Sequence, residues 1–111
     1  MKIAVTSTGP TLEHYVGSRA NHCGYLLMVD SETMRYETVR NPAVALRGGG
    51  AGNLFIQLMR ENGVKVVLVG SCGSEILGAL ERGGIEVRLG VSGSVRRAVE
   101  HWRYCERAVM F

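Results

Sequence analysis

No run in this 111-residue sequence approaches the ~20 apolar residues that a bilayer-crossing helix needs. Nor does the N-terminus, MKIAVTSTG, have the order of a secretory leader; it is a short strand-like run. The three cysteines, Cys23, Cys72 and Cys105, lie far apart, and no CxxC pair occurs. An odd number of scattered cysteines without a leader argues against a disulfide framework and for free thiols in the cytoplasm. Excess charge is small as well, +3 with a pI near 9.0. Arginine supplies 11 of the 13 cationic residues, spread along the chain with a modest cluster from Arg96 to Arg107. There is no basic stripe interleaved with aromatics, so no nucleic-acid interface is expected. A weak preference for anionic ligands is what remains.

What is present reads as an ordinary globular balance, 46% hydrophobic and 21% charged. The length suits a single domain over residues 1–111, large enough to bury a core without disulfides. Glycine is abundant, 15 residues, but scattered between apolar runs, which implies turns and close backbone approaches rather than disorder.

Hydrophobic periodicity divides the chain. KIAVT (2–6), GYLLMVD (24–30) and VKVVLVG (64–70) are near-continuous apolar runs, expected as buried strands. MRYETVR (34–40) and IEVRL (85–89) alternate, as edge strands do. Ala51, Leu54, Phe55, Leu58 and Met59 recur at helical spacing, as do Ile76, Leu77 and Leu80, and again Val95, Ala98, Val99 and Trp102. Asn62-Gly63 and Gly83-Gly84 read as helix stops. The tail at 102–111 is expected to fray. The order is β-β-β-α-β-α-β-α. A meander followed by right-handed crossovers, with the third and fifth strands at the edges, predicts the sheet order 3-2-1-4-5 with strand 2 antiparallel. This is an α/β fold of ribonuclease-H-like, three-layer α/β/α type.

Such a sheet binds ligands outside the carboxyl ends of its strands, at the point where the chain switches direction. That end should gather His14, His22, Cys23, Cys72, three glycine-rich loops and three helix N-termini. Unpaired amides at helix starts favour anions, and glycine lets backbone approach a ligand. Thiolate and imidazole add soft metal ligands. Together they match a negatively charged metal–sulfur cluster. Each residue also has a plainer role: Cys23 as a small buried residue, His22 and His14 as solvated loop residues, Cys72 as a turn residue. At a helix start the Cys72 thiol would be expected to have a lowered pKa. His22 and Cys23 are adjacent, so strand geometry would point them to opposite faces. His101 and Cys105 stand four apart on the last helix, the spacing of a two-ligand pair, but the sequence offers no third ligand beside them.

The stretch RGGGAGNLFIQLMRENGVKVVLVGSCGSEILGALERGGIEVRLGVSGSVRRAVE resembles the dinitrogenase iron–molybdenum cofactor biosynthesis family, the small NifX-like proteins. So do KIAVTS and GYLLMVDSET, and the resemblance spans about residues 2–102. It is carried by GGGAG before a helix, V-x-x-G-x-x-G after strand 4, and the ending GI-x-V-x-x-x-V-x-G-x-V. The resemblance implies the ribonuclease-H-like fold and a non-catalytic carrier or scaffold for a metal–sulfur cluster or an iron–molybdenum cofactor precursor. A cofactor-assembly protein is the partner expected with it, and the lack of a long apolar run argues against a membrane. One stretch departs from the family's R-F-G-R-A or R-F-G-R-C: here it is Arg19-Ala20-Asn21-His22-Cys23, in which Arg19 and Cys23 fit. The expected metal ligands are therefore Cys23, His22 and Cys72. Gly48, Gly49, Gly50, Ser71, Gly73 and Arg19 are expected to bind the cofactor.

Two other readings compete. A nuclease or phosphotransferase on this fold needs clustered carboxylates for divalent metal, and KIAVTSTG and VKVVLVGS contain none. An anion- or nucleotide-binding regulatory module would use GGGAG and VSGS as phosphate cradles, though no Lys follows either run as in a phosphate loop.

Overall fold

The structure, a computed structural model, describes residues 1–20, 23–41 and 51–109. Gly48, Gly49, Gly50 and His22 lie outside the described residues, and so does the expected GGG turn.

The elements are β1 (Lys2–Ser7), β2 (Tyr25–Asp30), β3 (Tyr36–Arg40), α1 (Ala51–Glu61), β4 (Val64–Leu68), α2 (Ser74–Arg82), β5 (Glu86–Arg88) and α3 (Val95–Val109). They form one five-stranded sheet in the order β3-β2-β1-β4-β5. β2 runs antiparallel to β1 and β3, while β4 is parallel to β1 and β5. This is the expected mixed sheet. The last helix differs from expectation: it continues past Arg103 to Val109. Its apolar positions Val95, Ala98, Val99 and Trp102 hold one face against the sheet, and the following turns extend that helix.

Alternation along the central strands explains the three layers. On β1 and β2, Ala4, Leu26 and Met28 face one way, packing with Phe55 and Met59 of α1 and Ile76 and Leu80 of α2. Ile3, Val5, Leu27 and Val29 face the other way, packing with Val95, Ala98 and Val99 of α3. Each of these buried Val, Leu, Ile, Phe and Met side chains contributes about 1.5–3 kcal/mol relative to exposure. The two mixed-composition strands are the edges, β3 mostly exposed and β5 partly so.

Helix ends fall where their chemistry places them. The Asn62 side-chain amide donates to the Leu58 carbonyl at 2.9 Å, and Gly63 then turns the chain at φ 68°, a conformation that suits glycine.

The segment between β1 and β2 is not a free loop. Thr8 N–H donates to the Tyr15 carbonyl and Val16 N–H to the Gly93 carbonyl. Further on, Gly17 N–H donates to the Thr6 carbonyl, Gly70 N–H to the Gly17 carbonyl and Ala20 N–H to the Ser71 carbonyl. Short bridges pair Tyr15 with Ser94 and Arg19 with Ser71. The segment is thus sewn to the loops that precede α3 and α2. Among the described residues no helix is long and apolar enough to cross a membrane.

Candidate functional site

The carboxyl ends of the four parallel strands form the end of the molecule where the sequence placed the site. There the structure brings four of the expected residues together. Arg19, Ser71, Cys72 and Gly73 line one open pocket of about 290 Å³. β4 delivers Gly70 and Ser71, and the sewn segment lays Arg19 alongside them. The Ser71 hydroxyl donates to the Ser18 carbonyl at 2.7 Å, fixing the two walls. The Arg19 side chain is exposed and is not drawn into an ion pair among the described residues.

The pocket floor is the start of α2. Gly73 caps that helix in an extended conformation and offers no side-chain hydrogen bond. The first helical bond is made by Leu77 N–H to the Gly73 carbonyl. The first-turn amides before it are the unpaired donors that every helix start carries. They place partial positive charge beside Arg19.

The start of α3 is different. Val95 N–H donates to the His14 carbonyl at 2.8 Å and Arg96 N–H to the Leu12 carbonyl at 2.9 Å. Arg97 N–H donates to the Ser94 hydroxyl at 3.2 Å. The sewn segment takes two of the first-turn amides and Ser94 a third, so the start of α3 has no free amides to offer an anion. Of the three helix starts expected to face a ligand, α2 is free, α3 is occupied, and the turn before α1 lies outside the described residues.

Cys23 sits beneath this surface. It is 6% exposed, and its thiol donates to the Arg19 carbonyl at 2.8 Å. A Cβ on Gly17 would lie 1.6 Å from the Cys23 sulfur, so the absence of a side chain there is what admits the thiol. Burial pushes the thiol above its ordinary range, an effect partly opposed by the Arg19 backbone and the Thr6 hydroxyl. The buried Thr6 oxygen meets no partner at hydrogen-bonding geometry among the described residues. Cys23 thus braces the backbone that carries Arg19 and does not line the pocket.

Cys72 does line the pocket, half-buried against the α1–α2 side of the core. Its pKa is not lowered, as the helix-start position had suggested, but raised, because burial disfavours the thiolate.

His14 is structural. Its Nδ1 accepts the Thr11 N–H at 3.2 Å. Its ring lies over Gly9, where a Cβ would come within 2.2 Å. Among the described residues no group of three or more His, Cys, Asp or Glu side chains is positioned to hold a metal ion.

Sequence reasoning missed the role of Asn41, and it placed Gly70 in the V-x-x-G-x-x-G step without saying what its missing side chain admits. A Cβ on Gly70 would meet the Ser18 carbonyl oxygen at 2.8 Å. The buried Asn41 side chain donates to the Ala20 carbonyl. Both hold the sewn segment in place, and Asn41 carries no pattern that marks it in advance.

These features define a three-layer α/β protein with a small anion-compatible pocket at the carboxyl end of its parallel strands. The chain belongs to the dinitrogenase iron–molybdenum cofactor family, which matches residues 1–104. It is similar to the apo form of the orange protein from Desulfovibrio gigas, at 34% identity and TM-score 0.84, over 94% of this chain and 88% of that one. A protein from Thermotoga, provisionally assigned as NifB and placed in the DUF35 family, shares the fold at 23% identity and TM-score 0.79. That likeness covers 93% of this chain and 87% of the other. No curated protein matches the chain.

Proposed function

We propose that this protein is a non-catalytic carrier or scaffold for an anionic metal–sulfur cluster or an iron–molybdenum cofactor precursor. The observation that carries the reading is the pocket where Arg19, Ser71, Cys72 and Gly73 converge on the uncapped start of α2. Family membership and the orange protein likeness support it.

The donor set fits such a cargo in a particular way. One thiol stands among several N–H donors, which suits a cluster that brings its own sulfide and negative charge. Arg19 and the α2 amides would hold the cargo's periphery by charge-assisted hydrogen bonds, each contributing about 1.5–3 kcal/mol. Burial raises the Cys72 pKa further above the ordinary thiol range, which favours the protonated form. If it ligates the cargo it must release that proton. Capture by Arg19 and amides alone releases none.

Anaerobic reconstitution with iron or molybdate plus sulfide, followed by desalting, tests the reading. Metal and sulfide should co-elute with the protein and give a visible charge-transfer spectrum. Arg19→Ala should lower the retained metal several-fold. If Cys72 ligates, loading should increase with pH, and Cys72→Ser should abolish that dependence. A wild-type protein that elutes without metal overturns the carrier role.

A further inference from the structure

A second cavity, of about 520 Å³, opens between the Gly90–Gly93 loop and α3, away from Arg19 and Cys72. His101, Trp102 and Cys105 of α3 line one side, with Arg88 and Arg97 at its margins. The His101 Nε2 and Cys105 sulfur are 3.5 Å apart, and both residues are exposed.

That separation is informative. A zinc-like ion holds sulfur at about 2.3 Å and imidazole nitrogen at about 2.0–2.1 Å. At a tetrahedral angle these bonds set the two ligand atoms about 3.5 Å apart. The pair, in hydrogen-bond contact at 3.5 Å, therefore also has the bite of two tetrahedral ligands. Residues four apart on a helix share one face, so the geometry follows from the helix itself.

We propose that His101 and Cys105 form a two-ligand site for a zinc-like divalent ion, with its remaining coordination positions open to this cavity. Among the described residues no third Cys, His or carboxylate completes the set, so those positions fall to water or to a small anion. The surroundings tolerate a cation. Arg88 is neutralised by Glu86 and Glu106, each at 2.9 Å, while exposed Arg97 is left to face an anion bound to the metal. The site is independent of the cargo pocket and needs no sulfide.

Cobalt(II), added without sulfide to reduced protein, is the probe. One tetrahedral cobalt per chain is expected, with sulfur-to-metal charge transfer and quenching of Trp102, the single tryptophan. Cys105→Ser and His101→Gln should each weaken binding at least ten-fold, and Cys72→Ser should leave it unchanged. Azide should shift the visible bands by entering an open position. Retention of the spectrum in Cys105→Ser overturns the site, and so does one cobalt shared by two chains, which would make the pair a clasp between copies. Failure of azide to shift the bands overturns the open positions. Both residues are exposed, and circular dichroism verifies that the variants fold.

Discussion

A methyl group on Gly70 would lie 2.8 Å from the Ser18 carbonyl oxygen and 2.9 Å from the Ser18 Cα. Both neighbours are backbone, so neither can swing aside. Gly70→Ala should destabilise the protein by about 1–3 kcal/mol, the usual result of overpacking. It should also lower cargo retention, because the displaced strand carries Arg19. Urea denaturation beside the desalting assay measures the two effects, and retention unchanged in a destabilised Gly70→Ala would detach Arg19 from the pocket's function. The three thiols make a second residue-scale case. Cys105 is exposed, Cys72 half-buried and Cys23 buried. An aromatic disulfide reagent should modify them in that order in the native state. Burial raises the pKa of Cys23 and Cys72, so the folded state holds these protons longer than the unfolded chain. Stability from this source is intact below the ordinary thiol pKa of about 8.5 and falls as pH rises through the folded values. The alkaline decline should be shallower in Cys23→Ala once the variant's overall destabilisation is subtracted. An identical slope would refute the assignment.

Helix starts separate at the next scale. Gly73 has φ −63° and ψ 154°, values open to any residue, and a Cβ there meets nothing within 4 Å. Aspartate would cap α2 and complement its dipole, adding a few tenths of a kcal/mol over glycine. The same carboxylate would occupy the amides and repel an anionic cargo. Gly73→Asp should therefore raise the melting temperature slightly while cutting cargo retention. Ser94→Ala should do the reverse, losing about 1 kcal/mol with its cap and leaving retention intact. If both variants change retention equally, the two helix starts are not distinct. The elements themselves were legible because Ile3 to Val5 and Leu26 to Val29 are continuous apolar runs of strand length, while Val95, Ala98, Val99 and Trp102 recur at helical spacing. The sewn segment was not. Its bonds run from backbone to backbone, such as Ala20 N–H to the Ser71 carbonyl, and backbone groups are the same at every residue. The strand and helix order was enough to put Arg19, Ser71, Cys72 and Gly73 at one end of the sheet, where they line one pocket. It could not tell that Cys23 lies under that surface or that α3 has no amides to spare. The His101–Cys105 spacing was equally visible, but the cavity beside it depends on how Gly90–Gly93 packs.

Across the whole molecule, one sheet serves two cores. Leu26 packs on the α1–α2 side and Leu27, its neighbour, on the α3 side. Both are fully buried. Each face depends on the same strands β1 and β2, so neither layer of helices can be released while the sheet keeps its shape. Leu26→Ala and Leu27→Ala should each lose about 2–5 kcal/mol, the cavity and transfer terms together. More tellingly, both should still unfold in one transition. Trp102 packs on the α3 side and reports that layer by fluorescence, whereas far-ultraviolet circular dichroism reports all helices. In the wild type and in both variants the two signals should coincide across a urea titration, as they do for a two-state domain. A fluorescence change that precedes the loss of helix in Leu27→Ala, but not in Leu26→Ala, would mean that α3 detaches alone. The cavity beside His101 would then belong to a separately melting layer, and cobalt bound there should stabilise the fluorescence transition while leaving the other in place.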